Sequence, residues 1–167
     1  LACAKTVILE INPRFRRVRG GVEIPIERVT CCYTADSPIL TIPRSKPSPT
    51  DETIGAYIAD MIHDGDTFQL GIGGLPDAVG KHLFARNDLG IHSELFSSTM
   101  ADLIEQGNVT GRYKTVDPGE SIACFALGDD HLYKTLSETP SCRIMPASYT
   151  NDPFIIAQQD HMISVNT

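Results

Sequence analysis

Between residues 67 and 165 the sequence alternates short apolar runs with stretches carrying helix-start signals, and this alternation limits the fold most. The runs at 67–70, 89–96, 122–127, 143–145 and 162–165 are short and rich in β-branched or large apolar residues, which reads as strands. Between them, Ser97 or Ser98 caps a helix carrying Met100, Leu103 and Ile104. Asp129 or Asp130 caps another with Leu132, Tyr133 and Leu136, and Asn151-Asp152-Pro153 opens a helical turn. Strands alternating with helices predict βα units: an α/β fold with a mostly parallel sheet and flanking helices.

The part before residue 50 reads differently. Residues 7–11 form an apolar run closed by Asn12-Pro13 and predict a buried strand. Residues 14–21 are basic and then glycine-rich, so a loop is expected; Ile24, Ile26, Val29 and Cys31 predict a further extended stretch. Pro38, Pro43, Pro47 and Pro49 mark a linker. A domain boundary is placed near 47, dividing 1–47 from 48–167. Ser48-Pro49-Thr50-Asp51 then has a capping residue, proline at the first helical position and a carboxylate at the third. Ile54, Tyr57, Ile58, Met61 and Ile62 follow the stripe of an amphipathic helix, which Gly65 ends.

Composition narrows the function. Fourteen Lys and Arg against 21 Asp and Glu leave a net charge of −7, so the global basic footprint of a nucleic-acid binder is absent. Arg14, Arg16, Arg17 and Arg19 are the local exception; they read as a solvated loop or as phosphate contacts. No apolar run approaches the ~20 residues of a membrane span. Residues 1–11 show no charged lead or cleavage site of a signal peptide. Five cysteines without a CxxC pair favour a reducing cytoplasm over a disulfide scaffold. The five histidines lack paired ligand spacing, so no metal site is expected.

Three places could carry chemistry. Gly71-Ile72-Gly73-Gly74 joins a predicted strand to a predicted helix, where bare backbone admits a ligand and free N–H groups face an anion. The third glycine of a dinucleotide fingerprint and the GK[ST] of a phosphate loop are both missing, and a tight packing turn explains the same residues. Glu94 stands near the carboxyl end of a predicted strand, where ligands collect in open α/β sheets. A carboxylate among apolar neighbours must be paired or used, so an ion-paired or solvated strand end is the plain alternative. His92 reads most simply as a hydrogen-bonded structural histidine. Asn151 and Asp152 read as helix caps ahead of Pro153, and Asp77 as a first-turn carboxylate favoured by the helix dipole.

Together, Leu70-Gly71-Ile72-Gly73-Gly74-Leu75-Pro76-Asp77-Ala78-Val79, Leu89-Gly90-Ile91-His92-Ser93-Glu94-Leu95 and Tyr149-Thr150-Asn151-Asp152-Pro153 resemble the acetyl-CoA hydrolase/transferase family. The likeness is greatest to its 4-hydroxybutyrate CoA-transferase branch. It spans nearly the whole chain and departs at Arg16, where the family often has proline. The resemblance implies an incomplete piece of a two-domain, CoA-transferase-like α/β protein: 1–47 ends the N-terminal domain, and 48–167 begins the C-terminal one. It implies Glu94 as a nucleophile that passes through a glutamyl-CoA thioester, with Asn151 at the active site. It also implies that Gly71, Ile72, Gly73, Gly74 and Pro76 line the CoA or acyl pocket. The substrates would be an acyl-CoA and a small carboxylate such as acetate, with CoA as cosubstrate and no other cofactor. The full-length protein would be a homo-oligomer without nucleic-acid or membrane partners. A further family loop would lie beyond Thr167 and most of the first domain before Leu1, so little activity is expected of this chain alone. An acyl-CoA hydrolase and a non-catalytic CoA- or nucleotide-binding module are the alternatives.

Overall fold

The computed structural model describes residues 3–21 and 23–166; Leu1, Ala2, Val22 and Thr167, which fall in the two expected segments, lie outside the described residues. The N-terminal part holds strands β1 (Ile8–Ile11), β2 (Arg19–Gly20) and β3 (Cys31–Thr34). β1 and β3 form a two-stranded parallel ribbon. The expected strand at 7–11 is there, but only Val7 is buried; Ile8 and Ile11 face outward because the ribbon lies outside the main sheet. The expected loop at 14–21 ends in β2, which pairs with a distant strand. The expected extended stretch at 24–31 begins with a 3₁₀ turn over Ile26–Arg28, started at Pro25, whose ring presets φ near −56°.

Residues 35–48 contain no helix or strand, yet they are tied down. Ile42 N–H donates to Gly128 O at 2.9 Å, and the Arg44 guanidinium reaches both Asp102 and Asp129.

Helix α1 (Pro49–Ala59) starts as the sequence predicts. Ser48 Oγ accepts from Asp51 N–H and Asp51 accepts from Ser48 N–H, a complete capping box. The predicted apolar stripe is corrected. Gly55, Ala59 and Ile62 are buried, whereas Ile54, Tyr57 and Met61 are exposed. The reason is steric: a Cβ at Gly55 would lie 2.9 Å from Ala78 Cβ, so the face that meets the next helix must be small rather than large. The helix stops at Ala59, ahead of Gly65, and Arg86 donates to the carbonyls of Ala59 and Ile62 near its end.

Strand β4 (Thr67–Leu70) is fully buried and feeds α2 (Gly74–His82) through the glycine turn. The predicted strand at 89–96 is two short ones, β5 (Gly90–Ile91) and β6 (Leu95–Phe96). Helix α3 (Ser98–Glu105) is capped by Ser97. The predicted strand at 122–127 also breaks, into β7 (Ser121–Ala123) and β8 (Phe125–Ala126). Helix α4 (Asp130–Glu138) is capped by Asp129, followed by β9 (Cys142–Ile144), the short helices α5 (Ala147–Thr150) and α6 (Pro153–Ile156), and β10 (Met162–Val165).

Every strand pair is parallel. One sheet runs β10-β4-β5 and another β2-β9-β7, and a parallel bridge between His92 and Ile122 joins them. β6 and β8 prolong the two middle strands as a separate pair. Phe68, Leu70, Ile91 and Phe96 of the sheet are buried against Val79 and Leu83 of the α2 region, Met100 and Leu103 of α3, and Leu132 and Leu136 of α4. Large side chains from strands and helices close one apolar core, and burying each stabilises by about 1.5–3 kcal/mol.

Candidate active site

The strand order places a crevice. From β4 the chain steps outward through β5, β7 and β9, and then returns to place β10 on the other side of β4. Neighbouring crossovers diverge at such a switch point and leave a gap beyond the carboxyl ends of the strands. A cleft of about 420 Å³ lies here, with Gln69, His92, Glu94, Asn151, Ser164 and Asn166 among its lining residues.

Glu94 reaches the cleft because the strand breaks there. Between β5 and β6 the backbone leaves one ladder for the next, and Cys124 and Phe125 both donate their N–H to Glu94 O, at 2.9 and 3.3 Å. The backbone is held while the side chain is exposed, and among the described residues no hydrogen bond or ion pair engages the carboxylate. Of the plain alternatives, an ion-paired strand end is therefore not found among the described residues, while the exposure is that of a solvated one.

Asn151 lines the same cleft. It closes the C-terminus of α5 and is exposed; Asp152, not Asn151, caps α6 through Phe154 N–H. Asn151 Oδ1 accepts from Thr150 Oγ1 at 3.0 Å, and its amide N–H₂ remains open toward solvent.

His92 is buried, and its Nε2 lies 2.9 Å from Thr150 O. A carbonyl only accepts, so Nε2 carries the proton and Nδ1 holds a lone pair with no partner. Burial, helped by nearby Lys114, holds the imidazole below its usual range against the opposing pull of Thr150 O and Asp117. Ser93 Oγ is likewise buried, and among the described residues neither it nor His92 Nδ1 has a partner.

The glycine turn is beside the cleft rather than in its wall. Gly71 N–H donates to Val165 O at 2.9 Å, next to Asn166. Ile72 and Gly73 line a separate cavity of about 30 Å³ with Arg44, Asp77, Ser97 and Ser98. Gly73 has φ 129°, a conformation that only glycine adopts without strain. Gly74 packs toward Asp51 and Pro47, and Pro76 is buried in α2. Asp77 accepts from Thr99 Oγ1 at 3.0 Å and so ties α2 to α3. The basic stretch is partly neutralised: Arg14 pairs with Asp36 and Arg19 with Glu120.

Sequence reasoning missed the far wall. Gln69, Ser164 and Asn166 hydrogen-bond one another across β4 and β10. Gln159 is buried, donating to Thr67 Oγ1 and accepting from Val116 N–H. Lys114 is 4% exposed, and its ammonium donates to Ile91 O and to Glu120 O, at 2.9 and 2.6 Å. A polar residue inside the apolar run at Gln69 was the available signal.

Residues 128–167 match the model of the acetyl-CoA hydrolase/transferase C-terminal domain. The succinyl-CoA:cyclohexane-1-carboxylate CoA transferase of Geobacter metallireducens is 37% identical over 163 residues, 98% of this chain and 37% of that protein. The 4-hydroxybutyrate coenzyme A transferase of Clostridium kluyveri is 34% identical over 98% of this chain and 38% of its own length. The crystal structure of a 4-hydroxybutyrate CoA-transferase from Porphyromonas gingivalis superposes with a TM-score of 0.91 at 35% identity, covering 99% of this chain and 42% of that one. Nearly all of the chain is similar to CoA transferases, and its last part to the acetyl-CoA hydrolase/transferase family. The chain spans somewhat over a third of the length of the curated relatives it matches. The family fold, with parallel strands and flanking helices, is the one the sequence resemblance implied.

Proposed function

We propose that this chain is the part of a CoA-transferase that carries its nucleophile, Glu94. One observation carries the reading: in a chain akin to CoA-transferases, an unpaired carboxylate stands on a fixed backbone at the switch-point cleft, with Asn151 in the same cleft.

The chemistry follows from a free carboxylate. Glu94 attacks the thioester carbonyl of an acyl-CoA; the C–S bond breaks and CoA leaves as thiolate, giving an acyl-glutamyl anhydride. The thiolate attacks the glutamyl carbonyl, the anhydride C–O bond breaks, the first carboxylate departs, and a glutamyl-CoA thioester remains. A second carboxylate attacks that thioester and expels CoA thiolate. The thiolate then attacks the new acyl carbonyl, which releases the new acyl-CoA and regenerates Glu94. Each step passes through a tetrahedral oxyanion, and the open amide N–H₂ of Asn151 is a donor this cleft offers it. CoA is a cosubstrate, and no group beyond it is invoked.

The substrates are short-chain acyl-CoA, of the acetyl, butyryl or 4-hydroxybutyryl kind, and a small carboxylate. The boundary at 47 separates the end of an N-terminal domain from the start of a C-terminal one, and the longer protein is a homo-oligomer. Water must be excluded from the anhydride. Glu94 is exposed in this chain, so the chain alone is expected to show little exchange.

Intact mass spectrometry tests the reading. This chain, and a version extended at both ends to the length of its relatives, are incubated with acyl-CoA, trapped with borohydride and mapped by peptide. A mass change at Glu94 in the extended protein supports the reading. No change at Glu94 in either sample removes covalent catalysis and favours a CoA-binding module.

A further inference from the structure

The segment bearing Asn151 is poorly supported by its own secondary structure. Helix α5 has four residues, and Asn151 is its C-terminal cap. So short a helix does not hold itself in place in water. Its position is set by ties to other elements: Tyr149 Oη donates to Asp117 Oδ2 at 2.9 Å, and His92 Nε2–H donates to Thr150 O at 2.9 Å. His92 belongs to the strand segment that carries Glu94, two residues further on. The His92 tie therefore runs from the residue beside Asn151 to the strand segment two residues ahead of Glu94, across the wall of one cleft.

We propose that His92 is a positioning residue that sets the separation of Glu94 and Asn151 by holding the Thr150 carbonyl. The proposal rests on the reading of Glu94 and Asn151 given above. Two details favour positioning over simple packing. His92 is buried with Nδ1 unpartnered, an arrangement that costs stability and that an apolar residue would avoid. Thr150 is also buried, and its hydroxyl orients the Asn151 side chain through Oδ1, so moving the Thr150 backbone moves the Asn151 amide. A misplacement near 1 Å in a reacting constellation costs about 10²-fold in rate.

The test uses the protein extended to the length of its relatives and compares His92→Leu with His92→Gln, whose amide N–H reaches the position of Nε2. The expected result is a kcat about 10²-fold lower in His92→Leu with KM for acyl-CoA within about twofold of wild type. His92→Gln recovers most of that loss. Amide exchange at Thr150 and Asn151 quickens in the leucine variant and returns in the glutamine variant, while β4 stays protected. Wild-type kcat in His92→Leu overturns the proposal, as does a glutamine variant no better than the leucine one. Should His92→Leu not fold, His92→Asn takes its place, because its shorter amide misses the carbonyl; equal kcat in the asparagine and glutamine variants then overturns the proposal. The Glu94 reading is separated by the trapping experiment on wild type: absence of an adduct at Glu94 sinks that reading, whereas an adduct formed at an unchanged rate in His92→Leu sinks only the positioning role.

Discussion

Gln69 and Asn166 hold each other by reciprocal amide hydrogen bonds, Nε2 to Oδ1 and Nδ2 to Oε1, both at 3.1 Å. Gln69 lies in β4, and Asn166 follows β10, so the pair staples the two strands that flank the switch point. Ser164 Oγ also donates to Gln69 Oε1. Gln69→Leu therefore removes the acceptor shared by Ser164 and Asn166, both of them exposed. Water replaces the lost acceptor at exposed groups, so we expect a loss of about 0.5–1.5 kcal/mol in urea unfolding. A change below about 0.5 kcal/mol would show that the staple contributes nothing.

Glu94→Gln is expected to leave stability within about 0.5 kcal/mol of wild type, because the carboxylate is exposed and has no partner to lose. The same variant of the extended protein is expected to lose exchange activity by roughly 10³-fold or more and to form no adduct. Thermal unfolding together with a transferase assay checks both halves.

Gly55→Val is expected to destabilise by about 1–3 kcal/mol, since the new side chain meets Ala78 at the contact between α1 and α2. Tyr57→Ser, on the exposed face of the same helix, is expected to change stability by less than about 0.5 kcal/mol. The reverse order of the two effects would restore the apolar stripe read from the sequence.

Lys114 gives the stability a pH signature. Burial pushes its ammonium down to about 8 from an ordinary value of 10.5, against the opposing pull of Asp117 and Glu120. Between these values the unfolded chain holds a proton that the folded chain has released, so stability rises with pH, by roughly 3 kcal/mol in all. Cys142 acts oppositely. Burial raises its thiol from 9.0 to about 12, so its contribution is complete below pH 9 and is lost as pH climbs toward 12. Wild type is thus expected to gain stability from pH 8 to 9 and then level off, while Lys114→Met stays flat to pH 9 and falls beyond it. Parallel curves for the two proteins in guanidinium titrations would show that Lys114 keeps its ordinary pKa in the folded state.

The helix starts were legible because capping is local. Ser48, Ser97 and Asp129 each bond an N–H within three residues, so nearby sequence determines them. The parallel α/β layout was legible for a similar reason: the alternation of runs leaves few connections. The breaks at 92–94 and at Cys124 were not legible, because they arise from the meeting of two ladders whose strands lie far apart in the chain. The α1 stripe misled because helical periodicity marks an apolar face without saying that the neighbouring helix approaches too closely for it. Glu94 and Asn151 were singled out from local motifs, and the structure brings both to one cleft. Gln69, Ser164 and Asn166 were missed because three unremarkable polar residues form a wall only when β10 docks.

That docking has a consequence for a chain emerging from a ribosome. β4, β5, β7 and β9 are complete once residue 144 has been made, and by then β5 has β4, and β9 has β7, to pair with. β10 alone must travel back across the whole growing sheet to reach β4. A nascent chain halted before residue 162 therefore displays Glu94 with one bank of its cleft missing. Vectorial synthesis thus lays down the Glu94 carboxylate before it lays down the strand that walls its cleft.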